Sequence, residues 1–129
     1  MNPMGLTLSC NKQKDEDTKM ALNMKAQDES SKRRRKQGGL VIKTLRTSLG
    51  YTQRELAEKC ELDYYTFISQ IEAGVGKIPP QKYKIFAASL GCDTKKFVRE
   101  LIKFYDPHTF EALFDADPHE PTDYDEIRL

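Results

Sequence analysis

The chain has 129 residues, about one domain, of which 32% are charged and 38% hydrophobic. No apolar run approaches the roughly 20 residues that span a bilayer, and the start, MNPMGLTLSC, has neither the basic leader nor the long apolar stretch of a signal peptide. A net charge of +1 conceals an asymmetry: residues 31–100 hold 15 Lys/Arg against 7 Asp/Glu, whereas 101–129 hold Lys103 and Arg128 against 8 acids, so the middle calls for an anionic partner.

In chain order, residues 1–30 are polar and lack periodic apolar positions, which reads as disorder, with at most a transient turn at Met20–Met24. A basic run, Lys32-Arg33-Arg34-Arg35-Lys36, follows, and Gln37-Gly38-Gly39 reads as a flexible joint. Residues 1–36 are thus expected to be a disordered region ending in a basic arm. Five helices come next, with no strand and no internal repeat. The first, about 40–49, sets Val41, Ile42, Leu45 and Leu49 on one face and stops at Gly50. Thr52, with Glu55 three residues on, caps the second, whose inner face is Leu56, Ala57 and Cys60. Asp63 is the expected N-cap of the third, and Gly74 and Gly76 its end. Pro79-Pro80 opens the fourth, which buries Tyr83, Phe86, Ala87 and Leu90 before Gly91. Asp93 or Thr94 caps the fifth, which runs to about Tyr105 ahead of Pro107. The folded domain is therefore placed at 37–105, with 106–129 an acidic extension in which Phe110-Glu111-Ala112-Leu113-Phe114 either extends the interface of the fifth helix or folds back over it, and the acidic end from Asp115 on is expected to be disordered.

The third helix carries the functional signal. At 100° per residue Tyr64, Phe67, Ile68 and Ile71 fall on one side, expected to be dry. Thr66, Ser69, Gln70 and Ala73 fall on the other, with Tyr65 on the flank. A helix preceded by a tight turn, and showing polar groups on one side, fits a DNA major groove. Gln70 can hydrogen-bond an adenine edge in two places, and Thr66 offers a hydroxyl and a methyl. Ser69 and Ala73 are small enough to let the backbone approach. Tyr65 can stack or reach a phosphate.

Several pieces of this sequence resemble the lambda-repressor/Cro-like (Xre-type) helix-turn-helix family. They are Leu45-Arg46, Gly50-Tyr51-Thr52-Gln53, Leu56-Ala57, Ile68-Ser69-Gln70-Ile71-Glu72-Ala73-Gly74, a proline after the loop, and Ala88-Ser89-Leu90-Gly91, all within about 40–104. The resemblance implies an all-α, five-helix fold. It implies that Gln53 touches a phosphate, and that Tyr64, Tyr65, Thr66 and Gln70 meet base edges or backbone. It also implies that Arg46 and Glu72 tie the first helix to the end of the third. Two departures stand out. Glu61 occupies the turn position that is commonly Gly, and one extra residue lies between Leu62 and Ile68. Two aromatics at the helix entry are unusual for direct readout, which favours core or backbone contact for Tyr64.

Arg33, Arg34 and Arg35 are expected to bind phosphates without reading sequence, and Lys77, in the loop after the third helix, to do the same. The fifth helix is apolar over most of its circumference (Phe97, Val98, Leu101, Ile102, Phe104, Tyr105), which points to a homodimer through 94–105 and the segment after it. The acidic tail is a candidate surface for a protein partner. Cys10, Cys60 and Cys92 fit no zinc spacing and suit a reducing cytoplasm, with Cys60 and Cys92 as buried small hydrophobes. His108 and His119 are isolated. No phosphate-binding loop, nucleophile triad, metal set or cofactor motif is present. The reading is a non-enzymatic, double-stranded-DNA-binding regulator, repressor or activator by placement, of bacterial or phage type. The alternative is an antitoxin or anti-activator type interaction module on the same fold. A nuclease built on the tail acids ranks third.

Overall fold

The computed structural model describes residues 29–129. The expectations for Cys10, for Met20–Met24 and for disorder through residue 28 lie outside that range. The chain divides into two units, 1–31 and 32–129, and the architecture below is that of the second. Among the described residues it is all-helical. Within this unit a helix α1 covers 32–48. After it come α2 (Gln53–Lys59), α3 (Thr66–Ala73), a 3-10 turn (Pro80–Lys82), α4 (Tyr83–Ser89), α5 (Thr94–Tyr105), α6 (Pro107–Phe114) and α7 (Tyr124–Ile127). One isolated antiparallel bridge pairs Cys92 with Arg128.

The core is built from one face of each helix: Ile42 and Leu45 of α1, Leu56 of α2, Ile68 and Ile71 of α3, Phe86 and Ala87 of α4, Phe97 and Leu101 of α5. Cys60 and Cys92 are free and buried within it, and burial pushes both thiols up from their ordinary range. Side-chain caps set the starts of α2 and α5. Thr52 Oγ1 accepts the Glu55 N–H at 3.1 Å, and Asp93 Oδ2 accepts the Lys96 N–H at 3.1 Å. Four helix ends share one device, in which two N–H groups turn back onto carbonyls of the last turn. Gly50, Gly74 and Gly91 provide the left-handed residue at three of them. At the end of α2 the residue is Glu61, at φ 57°, with Leu62 N–H donating to Ala57 O at 2.9 Å.

Several sequence expectations are corrected, among them the count of five helices: the described residues form seven. Gly38-Gly39 is no joint: both glycines lie inside α1 and are buried. A Cβ on Gly39 would collide with the carbonyl oxygen of Glu72, and one on Gly38 would stand 3.2 Å from Phe104 Cβ, so the pair is a close helix–helix crossing. The basic run 32–36, expected in a disordered arm, is consequently helical. Leu49 lies beyond the end of α1 and is exposed; Arg46 is buried on that side instead. The third helix begins at Thr66 and not after Asp63, and no side chain caps it.

Residues 110–114 fold back over α5, one of the two alternatives expected of them, and the acidic end from Asp115 on, expected to be disordered, is folded as well. Phe110 is buried, with α6 packed on α5, and Arg99 stacks over the Phe110 and Phe114 rings. Ile127 enters the main core, and Asp93 N–H donates to Ile127 O at 2.9 Å. Buried Lys103 pairs with Glu100 at 3.0 Å, and Glu100 in turn accepts the Thr122 hydroxyl. The apolar excess of α5 is thus covered largely from within the chain, by α1, α6 and the tail. Tyr105 is enclosed in the same region. Its hydroxyl accepts the Ile78 N–H at 3.3 Å, and burial holds its pKa up at about 12.

Candidate nucleic-acid interface

Helices α2 and α3 meet through a short turn, and α3 is held at its far end by a buried polar cluster. Arg46 presents Nε and one terminal nitrogen to Glu72 Oε1 at 3.0 and 2.8 Å. Its other terminal nitrogen donates to Tyr51 O at 2.7 Å. Gln53 Nε2 donates to Glu72 Oε2 at 3.2 Å. Arg46 and Glu72 are 7% and 8% exposed, so this planar, two-pronged pair is shielded from water. It joins α1, the start of α2 and the last turn of α3, which fixes α3 as a rigid rod.

Burying Glu72 has a second effect. The inner face of α3 becomes Ile68, Ile71 and Glu72, rotated from the purely apolar face that periodicity suggests. Phe67 and Tyr64, expected on the dry side, are 49% and 67% exposed. Tyr64 precedes the helix, so the helical wheel never applied to it. Thr66, Gln70 and Ala73 are exposed along α3, with Ser69 half-buried beside them. Tyr65 is exposed and flat under the Arg54 guanidinium, 4.8 Å from its ring centre. Sequence reasoning missed Phe67 and Arg54. Glu72, once recognised as buried, was the signal that would have exposed Phe67.

The remaining candidates do not all converge. Arg35 Nε donates to Gly74 O at 3.3 Å, placing its charge at the C-terminal end of α3. Arg33, Lys36 and Arg35 line a groove of about 370 Å³ with Ala73, Gly74 and Val75, contiguous with the outward side of α3. Arg34 turns elsewhere, into a cavity shared with Phe104 and tail residues 118–122. Lys77 is exposed and borders a groove with Phe67 and Gln70, its ammonium 5.7 Å from the Tyr105 ring. Among the described residues no group of three or more His, Cys, Asp or Glu is arranged to hold a metal, and no helix is long and apolar enough to cross a membrane.

A short α2, a tight turn and a rod with one wet side form a helix-turn-helix. Residues 42–97 match the helix-turn-helix family model HTH_3. This segment is an Xre/lambda-repressor-like helix-turn-helix domain. The family is one of DNA-binding regulators, which supports a DNA-binding role for this segment. Neither a curated protein nor a solved structure matches the chain. The match begins inside α1 and ends inside α5, so the basic stretch of α1, α6 and α7 lie outside the helix-turn-helix domain.

Proposed function

We propose that the protein is a sequence-specific transcriptional regulator of bacterial or phage type, active in the cytoplasm, which lays α3 in the major groove. The observation that carries this reading is the exposed row Thr66, Gln70 and Ala73 on a helix clamped from behind by Arg46 and Glu72. Gln70 takes an adenine edge in a two-point hydrogen bond, and Thr66 contacts the neighbouring base through hydroxyl or methyl. Ser69 and Ala73 allow close approach. Gln53 uses one amide N–H on Glu72 and has a second for a phosphate. Tyr64 and Tyr65, at the entry to α3, contact backbone, with Arg54 adding charge beside Tyr65. Lys77 and Arg33 engage phosphates on either side of the helix, while Arg34 and Arg35 add to the field that attracts DNA.

A dimer suits this function, because two-fold pairs read half-sites about 34 Å apart. Exposed Leu113 and Phe114 on α6 supply apolar surface for it next to the α5 face first considered. Selection of bound duplexes from a random pool by the full chain tests the reading. A palindrome with half-sites one helical turn apart is the expected product; absence of any enriched sequence overturns it. A protein-docking role of antitoxin or anti-activator type then leads, favoured by the exposed aromatics Tyr64, Tyr65 and Phe67.

A further inference from the structure

Phe67 is a large apolar side chain left half in water on the flank of α3. It stands one step round the helix from Thr66 and three residues before Gln70. Its position is forced. Ile68, Ile71 and Glu72 occupy the inner face, and α3 is pinned in that rotation by the Arg46 guanidinium. Phe67 therefore cannot turn inward without dragging Glu72 out of its ion pair. It forms one wall of a groove of about 320 Å³, with Gln70 and Lys77 also on its lining and Ile71 and Phe86 behind. A groove with an apolar floor, an amide at one side and an ammonium at the other matches one feature of duplex DNA. In the major groove the one apolar group on any base edge is the C5 methyl of thymine, and it lies between the hydrogen-bonding edges and the phosphate backbone.

We propose that Phe67 is a specificity-determining residue that reads the C5 methyl group of a thymine adjoining the base engaged by Gln70. This rests on the reading of α3 as the major-groove helix. It adds what that reading leaves out: the recognition surface is polar along Thr66–Gln70 and apolar on the side of Phe67, so a thymine is required at one fixed offset. Lys77 then neutralises the phosphate outside that thymine, closing the groove over the methyl group.

The test uses the full chain and the duplex obtained by selection. Each thymine is replaced in turn by uracil, which removes only the methyl. The wild type is expected to lose about four-fold in affinity at one position per half-site, the factor for burying one methyl group. Phe67→Ala should bind the thymine duplex more weakly and show no further loss with uracil there. Phe67→Leu, which keeps apolar bulk, should retain part of the uracil penalty and guards against an alanine variant that fails to fold. A wild type indifferent to uracil at every position overturns the proposal while leaving DNA recognition standing. So does an unchanged penalty in Phe67→Ala. If selection enriches no sequence at all, the underlying reading falls and this inference falls with it.

Discussion

Arg46 and Glu72 are 26 residues apart in sequence and share a buried ion pair in which two guanidinium nitrogens reach one carboxylate oxygen at 3.0 and 2.8 Å. The remaining Arg46 nitrogen bonds Tyr51 O, and Gln53 bonds the second carboxylate oxygen, so neither charge is left without partners. Removing one member strands the other's charge away from water. Arg46→Ala or Glu72→Ala should each cost about 3 kcal/mol in urea unfolding. The double variant should lose 1–3 kcal/mol less than the sum, roughly the coupling of such a pair. Strict additivity would show that the two side chains stabilise the fold independently.

Glu61 holds a left-handed conformation, φ 57°, at a helix end where Gly50, Gly74 and Gly91 do the same job elsewhere in the chain. A side chain in that region costs about 1–2 kcal/mol, part of which glycine returns as greater freedom in the unfolded state. Glu61 is exposed and its backbone N–H bonds Glu58 O, so no tertiary contact is lost on truncation. Glu61→Gly should raise stability by about 0.5–1 kcal/mol, read as a higher urea midpoint with unchanged slope. A lower midpoint would mean that the Glu61 side chain stabilises the turn.

These residues also show what a sequence discloses. The caps at Thr52 and Asp93, the stops at Gly50 and Gly91 and the apolar spacing of α2 and α4 are local, and each was legible because a few neighbours decide it. The start of α3 was not. Asp63 is a good cap, but the extra residue before Ile68 is absorbed by turn 60–65, and α3 begins at Thr66, two residues before its first buried side chain, Ile68. Phe67 was misplaced because its exposure depends on Glu72, whose burial depends on Arg46 in another helix. Gly38-Gly39 was misread for the same reason: glycine marks flexibility or close approach, and only the position of the Glu72 carbonyl decides which. The tail was hidden by its charge. Phe110, Pro118 and Ile127 are buried and anchor an otherwise acidic segment.

The two glycines of α1 differ in what surrounds them, and alanine separates them. At Gly38 the new methyl meets Phe104, a side chain able to give by a few tenths of an ångström, while the helix gains about 1 kcal/mol of propensity. Gly38→Ala should fall within about 1 kcal/mol of neutral. At Gly39 the methyl meets backbone of α3, so α1 and α3 must separate. Gly39→Ala should cost about 2–3 kcal/mol and loosen the Arg46–Glu72 pair. Equal thermal midpoints for the two variants would contradict the close crossing.

Ile127 tests whether the acidic tail belongs to the fold. Its side chain is 3% exposed in the main core, and its carbonyl accepts the Asp93 N–H at the start of α5. Ile127→Ala should cost about 2 kcal/mol, the lower end for a buried isoleucine because the tail can adjust. The backbone amide of Asp93 should exchange faster in the variant, since it donates to Ile127 O, whereas those of Gly91 and Cys92, which donate to Ala88 O and Ala87 O of α4, should keep their protection. A stability equal to wild type would return the tail to the disordered state first expected of it.

The basic stretch of α1 separates a rigid rail from a flexible arm. Arg33 and Lys36 line the groove beside Ala73–Val75, and Arg35 ties that part of α1 to Gly74. Each phosphate neutralised adds about 0.9 to the slope of log affinity against log salt. Arg33→Gln/Lys36→Gln should therefore reduce the slope by about 2 and weaken binding to all sequences alike, leaving the selected site's preference intact. Gln37→Pro discriminates further. Gln37 is exposed, but proline there removes a helical hydrogen bond and clashes with the preceding turn. On a rail this shifts Arg33 and Lys36 away from the end of α3 and should reproduce most of the lost slope with both charges still present. On a flexible arm the same substitution leaves the slope unchanged, because a loose chain finds phosphates from any starting geometry.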